Sequence, residues 1–135
     1  MRVVFDTNIF VSAFILPGSR ANEALNYVVQ VIDRLVVSKA IIDELLGVLA
    51  RKFARDADEL ARAAVFLSDL ADIVHPRGRI DVLQDDADNR VLECARAGKA
   101  DLIVTGDKAM LELGSYRKIN ILSLRGYLEL HSPGG

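Results

Sequence analysis

Short apolar runs separated by helical patterns constrain this chain more than any other feature. Residues 2–5, Arg34 to Val37, Asp101 to Thr105 and Asn120 to Leu122 read as strands, and Ile73-Val74 as a short extended stretch. Ser19 caps a helix from Arg20 to about Val31, with Ala21, Leu25, Val28 and Val29 on one side. Ser38 caps another from Lys39 to about Phe53. Further helical patterns run from Asp58 to Leu70, from Asp85-Asp86 to a stop at Gly98, from Asp107 to Leu113 and from Leu124 to Leu130. Strands alternating with helices predict a mostly parallel central sheet covered on both faces, a three-layer α/β sandwich. Helical crossovers also bring the carboxyl ends of the strands to one edge, where ligands of open α/β sheets bind.

A chain of 135 residues is long enough for one domain with a real core. No apolar run approaches the ~20 residues needed to cross a bilayer, so no membrane association is expected. The start lacks the apolar stretch and cleavage site of a signal peptide. Cys94 is the single cysteine, which leaves neither a disulfide framework nor a thiolate metal site and marks it as a small core residue. A cytoplasmic protein is the expectation. With 19 acidic and 17 basic residues the net charge is −2, which does not advertise a nucleic-acid binder but leaves one open, since distribution matters more than the sum. Residues 131–135 read as a frayed tail, with His131 in it, and His75 as a loop residue.

The acids fall in a pattern. Asp6 interrupts the opening apolar run in Asp6-Thr7-Asn8, before Ile9-Phe10-Val11 resumes it. Asp107 follows the strand that ends at Thr105. If those strands are parallel and adjacent, both carboxylates share one rim. Asp85, Asp86 and Asp88 join them if residues 73–82 return the chain to the carboxyl edge. Counting 100° per residue from Ile41, Leu45, Val48 and Leu49 form an apolar stripe, Asp43 points away, and Glu44 borders the stripe and leans toward the interior or a cleft. Two unit charges ~4 Å apart repel by about 4 kcal/mol at an effective dielectric near 20. Four converging acids therefore require protonation or a cation. With oxygen donors and no cysteine or histidine cluster, that cation is Mg²⁺ or Mn²⁺ rather than zinc.

These residues resemble the PIN domain family, and within it the toxin type found in prokaryotic toxin–antitoxin operons. Asp6-Thr7-Asn8 resembles the family's first motif, and Glu44 its second acid. Asp88, in Asp85-Asp86-Ala87-Asp88-Asn89, matches the third, and Thr105-Gly106-Asp107 the element that carries the fourth. The similarity runs to about residue 125, and the PIN-like domain would span residues 1–130. The resemblance implies a Rossmann-like sheet and a Mg²⁺- or Mn²⁺-dependent ribonuclease acting on single-stranded RNA. Asp6 and Asp88 would be the main metal ligands, completed by Glu44 and Asp107. Thr7, Asn8, Thr105 and Asn89 would support them. It further implies a homodimer silenced by an antitoxin protein.

Plainer readings compete. Asp6-Thr7-Asn8 suits a turn, Asp107 suits a helix cap, and Asp85 and Asp86 are first-turn acids favoured by the helix dipole. Glu44 could pair with Arg51 or Lys52. Lys39, Arg51, Lys52 and Lys108 are candidate RNA contacts, against the alternative of a solvated helix surface. The functional alternative is a catalytically silent module that binds RNA or a protein. A receiver domain would need an acidic neighbour beside Asp6, and a haloacid-dehalogenase phosphatase would need Asp where Asn8 stands. No glycine-rich phosphate loop is present.

Overall fold

The computed structural model describes residues 1–30 and 32–132. Six strands form one sheet: β1 (Arg2–Phe5), β2 (Arg34–Ser38), β3 (Asp72–Val74), β4 (Leu102–Val104), β5 (Ser115–Tyr116) and β6 (Ile119–Leu122). Around it pack α1 (Thr7–Ile15), α2 (Arg20–Val29), α3 (Lys39–Phe53), α4 (Ala57–Leu70), α5 (Asp86–Ala97), α6 (Lys108–Leu113) and α7 (Leu124–Leu130). No helix among the described residues is long and apolar enough to cross a membrane.

The strand order is β3-β2-β1-β4-β6-β5, parallel except for β5. The chain steps outward from β1 to β2 to β3, then returns past β1 to β4 and β6. Right-handed crossovers in opposite directions put helices on opposite faces, so the sandwich has three layers. Val3, Val4 and Phe5 are fully buried because β1 is covered on both sides. The reversal falls between β1 and β4, in register at Val4 and Ile103. That topological switch point opens a crevice at the carboxyl edge.

Two elements escape the sequence pattern. Ile9-Phe10-Val11 does not resume a strand; it lies inside α1, whose Thr7, Ile9, Phe10, Val11 and Ala13 are all buried. A helix apolar on nearly every side shows little periodicity. The β5–β6 hairpin turns on Arg117 and Lys118, both with positive φ (48° and 70°). Such two-residue turns favour Asn-Gly, so Arg-Lys gives no warning. In α2 the buried stripe is Ala21, Ala24, Leu25 and Val28. Val29 lies one residue beyond it and is exposed, and the expected helix end at Val31 lies outside the described residues.

His131 is not part of a loose tail. Asp33 accepts hydrogen bonds from Tyr127 Oη (2.6 Å) and the Met1 amine (3.1 Å), and His131 Nε2 stands 2.6 Å from the same carboxylate. The His131 ring stacks on Tyr27 with centroids 4.4 Å apart. Burial pushes the Asp33 carboxyl up, but the bonds from Tyr127, the amine and His131 outweigh it and hold it below its ordinary range. Residues 133–135 lie outside the described residues.

Gly98 stops α5 for a reason other than backbone freedom. Its φ is −86°, and the left-handed residue is Lys99 at 51°. A Cβ at Gly98 would stand 2.3 Å from Val36 Cγ1, inside the core. The missing side chain lets α5 close onto β2. Gly98→Ala should therefore cost about 1–3 kcal/mol, as overpacking does, read from the urea midpoint; unchanged stability would contradict so close an approach.

Candidate active site

Asp6 leaves β1 at the switch point. Its amide extends the β1–β4 pairing one step by donating to the Val104 carbonyl (2.9 Å). The residue is only 5 % exposed. Across the crevice, Thr105 Oγ1 donates to Asp6 Oδ2 at 2.6 Å and accepts the Asp107 amide at 3.0 Å. One hydroxyl thus aligns the acid of β1 with the backbone that carries the acid after β4. Asp107 Oδ2 then accepts the Met110 amide (2.9 Å), capping α6. The capping reading of Asp107 holds, and the cap itself fixes the carboxylate at the rim.

Asp88 arrives from a third direction. β3 is parallel, so Val74 ends at the carboxyl edge and residues 75–85 stay there until α5 begins. That stretch lacks regular structure and is held by α5 itself. Asn89 Oδ1 accepts the amides of Val82 (3.2 Å) and Leu83 (2.9 Å), and Asn89 Nδ2 donates to the Leu83 carbonyl (2.8 Å). Glu93 accepts the Ile80 amide (2.9 Å), and Arg96 donates to the Arg77 carbonyl (2.8 Å). Asn89 is therefore committed mainly to the loop; its Nδ2 also stands 3.5 Å from Asp86 Oδ1, and among the described residues it makes no hydrogen bond to Asp6, Glu44, Asp88 or Asp107, the acids it was expected to support. Residues 89, 93 and 96 form one helical stripe, a signal present in the sequence itself. One position earlier, about 100° around the helix, Asp88 faces the acids.

The four acids interact. Burial pushes the Asp88 carboxyl up to about 7, helped by the charges of Asp107, Asp6 and Asp85 and by a hydrogen bond with Asp107. Burial also raises Asp6; the Thr105 hydroxyl and the Asn8 amide oppose this, Asp107 adds to it, and the Thr7 amide opposes it again. Glu44 is raised by burial, then by Asp6 and Asp85, while Arg51 pulls it down. Asp85 is itself an α5 cap, accepting the Ala87 amide at 2.9 Å, as the plain reading had it, yet its charge reaches both Glu44 and Asp88. Asp86 is exposed in the first turn of α5.

Among the described residues, no three acids stand close enough to form a finished cation cage. The charges that bear on buried Asp88, those of Asp107, Asp6 and Asp85, are all of its own sign, and Asp6 and Asp85 bear in turn on Glu44. An all-oxygen, net negative donor set of this kind fits a hard divalent cation. Thr7 is buried at the first position of α1 and Asn8 is exposed beside it. Of the expected RNA contacts, Lys39 is exposed and paired with Asp43 (2.7 Å), and Lys108 is exposed next to Asp107. Arg51 and Lys52 are exposed near the end of α3, and of the two it is Arg51 that bears on Glu44.

The sequence matches the PIN domain family over residues 2–109, and the chain belongs to that family. It is also similar to the uncharacterized protein MJ1680 of Methanocaldococcus jannaschii, at 29 % identity over 134 residues, covering 93 % of this chain and 84 % of the relative. PIN domains are generally nucleases, and the rim of acids lies inside the matched segment.

The raised Asp88 carboxyl has a consequence for stability. Its ordinary value is 3.8 and its folded value about 7, so the folded protein holds a proton that the unfolded chain releases. In EDTA, that contribution is complete below about pH 4 and is lost as the pH rises through about 7. Urea midpoints should fall across this window, and Asp88→Asn should flatten the fall; an equal slope in both proteins would contradict the coupling.

Proposed function

We propose that this chain is a Mg²⁺- or Mn²⁺-dependent endoribonuclease that cleaves single-stranded RNA, and that it is the toxin half of a toxin–antitoxin pair. The observation that carries the nuclease reading is the burial of Asp6 and Asp88 at the switch point, surrounded by further acids. Asp6 and Asp88 would hold the cation, with Glu44 and Asp107 completing the set. A bound divalent ion supplies activation of water and neutralises charge on the phosphodiester. Thr105 keeps Asp6 and Asp107 in register, and Asp85 strengthens the negative field. The acids stand at the carboxyl edge of the sheet, where an extended strand would lie across them. Toxin action, an antitoxin that covers the crevice, homodimerisation and a cytoplasmic location rest on the family resemblance.

One observation favours a second reading. The acids are not assembled at ligand distance, as suits a silent module that binds RNA or a protein. Such a module would capture RNA equally in EDTA and tolerate Asp88→Asn.

Quenched fluorescent single-stranded RNAs and DNAs, incubated with Mn²⁺, Mg²⁺ or EDTA, separate the two. The nuclease reading predicts cleavage of RNA that requires the metal and falls to background in Asp6→Asn and Asp88→Asn. Thr105→Val, which removes the support and leaves the acids, should lose about 10–100-fold. Cleavage that survives EDTA or either carboxylate substitution would overturn the proposal.

A further inference from the structure

Beside the acidic crevice lies a pocket of about 430 Å³ with the opposite character. It is lined by Ser38, Lys39 and Ala40 at the start of α3, by His75 and Arg79 from the loop after β3, and by Arg90 and Glu93 of α5, among others. Hydrogen-bond donors exceed acceptors in it. Glu93, its one carboxylate, already accepts the Ile80 amide at 2.9 Å and pairs with Arg90 at 2.9 Å. Arg90 Nε is buried with no partner among the described residues. At the head of the 15-residue α3, Ser38 Oγ accepts the Ile41 amide, and the first-turn amides of Lys39 and Ala40 have no acceptor within the helix.

Arg79 decides what such a pocket is for. It is exposed and makes no ion pair or side-chain hydrogen bond among the described residues. The loop beneath it is nevertheless fixed, by Arg96 on the Arg77 carbonyl and by Arg90 and Glu93 on Ile80. Gly78, at φ +76°, makes the turn just before it. A cation without a partner among the described residues thus shares one pocket lining with a helix N-terminus, where anions are favoured. Lys39 can join at little cost, since its pair with Asp43 is exposed.

We propose that this pocket is a phosphate-binding subsite for the RNA strand, with Arg79 as its principal contact, the α3 amides and Lys39 as partners, and His75 at its mouth. The proposal rests on the nuclease reading of the crevice and adds a direction to it. β2 and β3 end here, two strand spacings, about 10 Å, from the β1–β4 switch point. An extended strand with one phosphate at the acids can therefore place a phosphate one or two nucleotides further along in this pocket. The strand then runs across the sheet edge from β4 toward β3, rather than out over α6.

The test separates binding from cleavage. Binding of a single-stranded RNA is followed by fluorescence anisotropy in EDTA across a salt series, for the full chain and for Arg79→Gln and Arg79→Glu. Lys118→Gln, at the opposite edge of the sheet, removes a charge elsewhere as a control. Each lost phosphate contact should reduce the slope of log K against log salt by about 0.7. Both Arg79 variants should show that reduction and bind several-fold more weakly, with the control unchanged. In the metal-loaded protein the same variants should raise KM and leave kcat intact. Slopes equal to the parent's in both Arg79 variants, or an equal reduction in Lys118→Gln, would overturn the subsite. A reduced slope in both Arg79 variants of a parent that binds RNA but never cleaves it would support the subsite and overturn the nuclease instead.

Discussion

The hydroxyl of Thr105 donates to Asp6, accepts from the Asp107 amide, and by doing both joins the two halves of the crevice. Its position follows from the sheet. β1 and β4 are neighbours only because the strand order reverses between them, and the Asp6 amide continues their ladder onto Val104. A displacement of β4 by one residue would turn Thr105 to the other face. The buried acid of β1 would then lose the partner that favours its ionised form. The remaining parts of the site depend on this alignment, since Asp88 and Glu44 act on a rim that β1 and β4 define.

α5 serves two surfaces at once. One stripe of it, Asn89, Glu93 and Arg96, fastens residues 77–83, while Asp88 faces the acids. The irregular loop is thus tied down by side chains of α5, although it contributes no strand or helix of its own. Gly98, at the other end of the helix, lets the same helix approach Val36 closely. The cation-bearing loop and the carboxylate are consequently positioned by one helix.

Most of the architecture was legible because it rests on local signals. Ser19 and Ser38 cap the helices expected of them, and the apolar strands fall where their composition puts them. The Asp6, Asp88 and Asp107 positions were legible from the strand ends and the family motif, and Glu44 from its helical angle. The misses have physical causes. α1 is apolar nearly all round and shows little period, and β5 turns on residues that rarely take positive φ. Asn89 sits inside a motif of acids, yet its side chain serves the loop, which only the path of residues 75–85 reveals. His131 looked terminal in sequence, whereas its partner Asp33 lies 98 residues earlier. Long-range partners of this kind leave no periodic trace.

The central claim is that the buried, mutually repelling acids are arranged for a divalent cation. The most direct measurement is the melting temperature of the protein with and without millimolar Mn²⁺ at pH 7.5, beside Asp88→Asn. A cation that binds the folded state alone stabilises it in proportion to the logarithm of its concentration above Kd. The account predicts a clear rise for the parent and little or none for Asp88→Asn. No rise in the parent, or an equal rise in both, would contradict it.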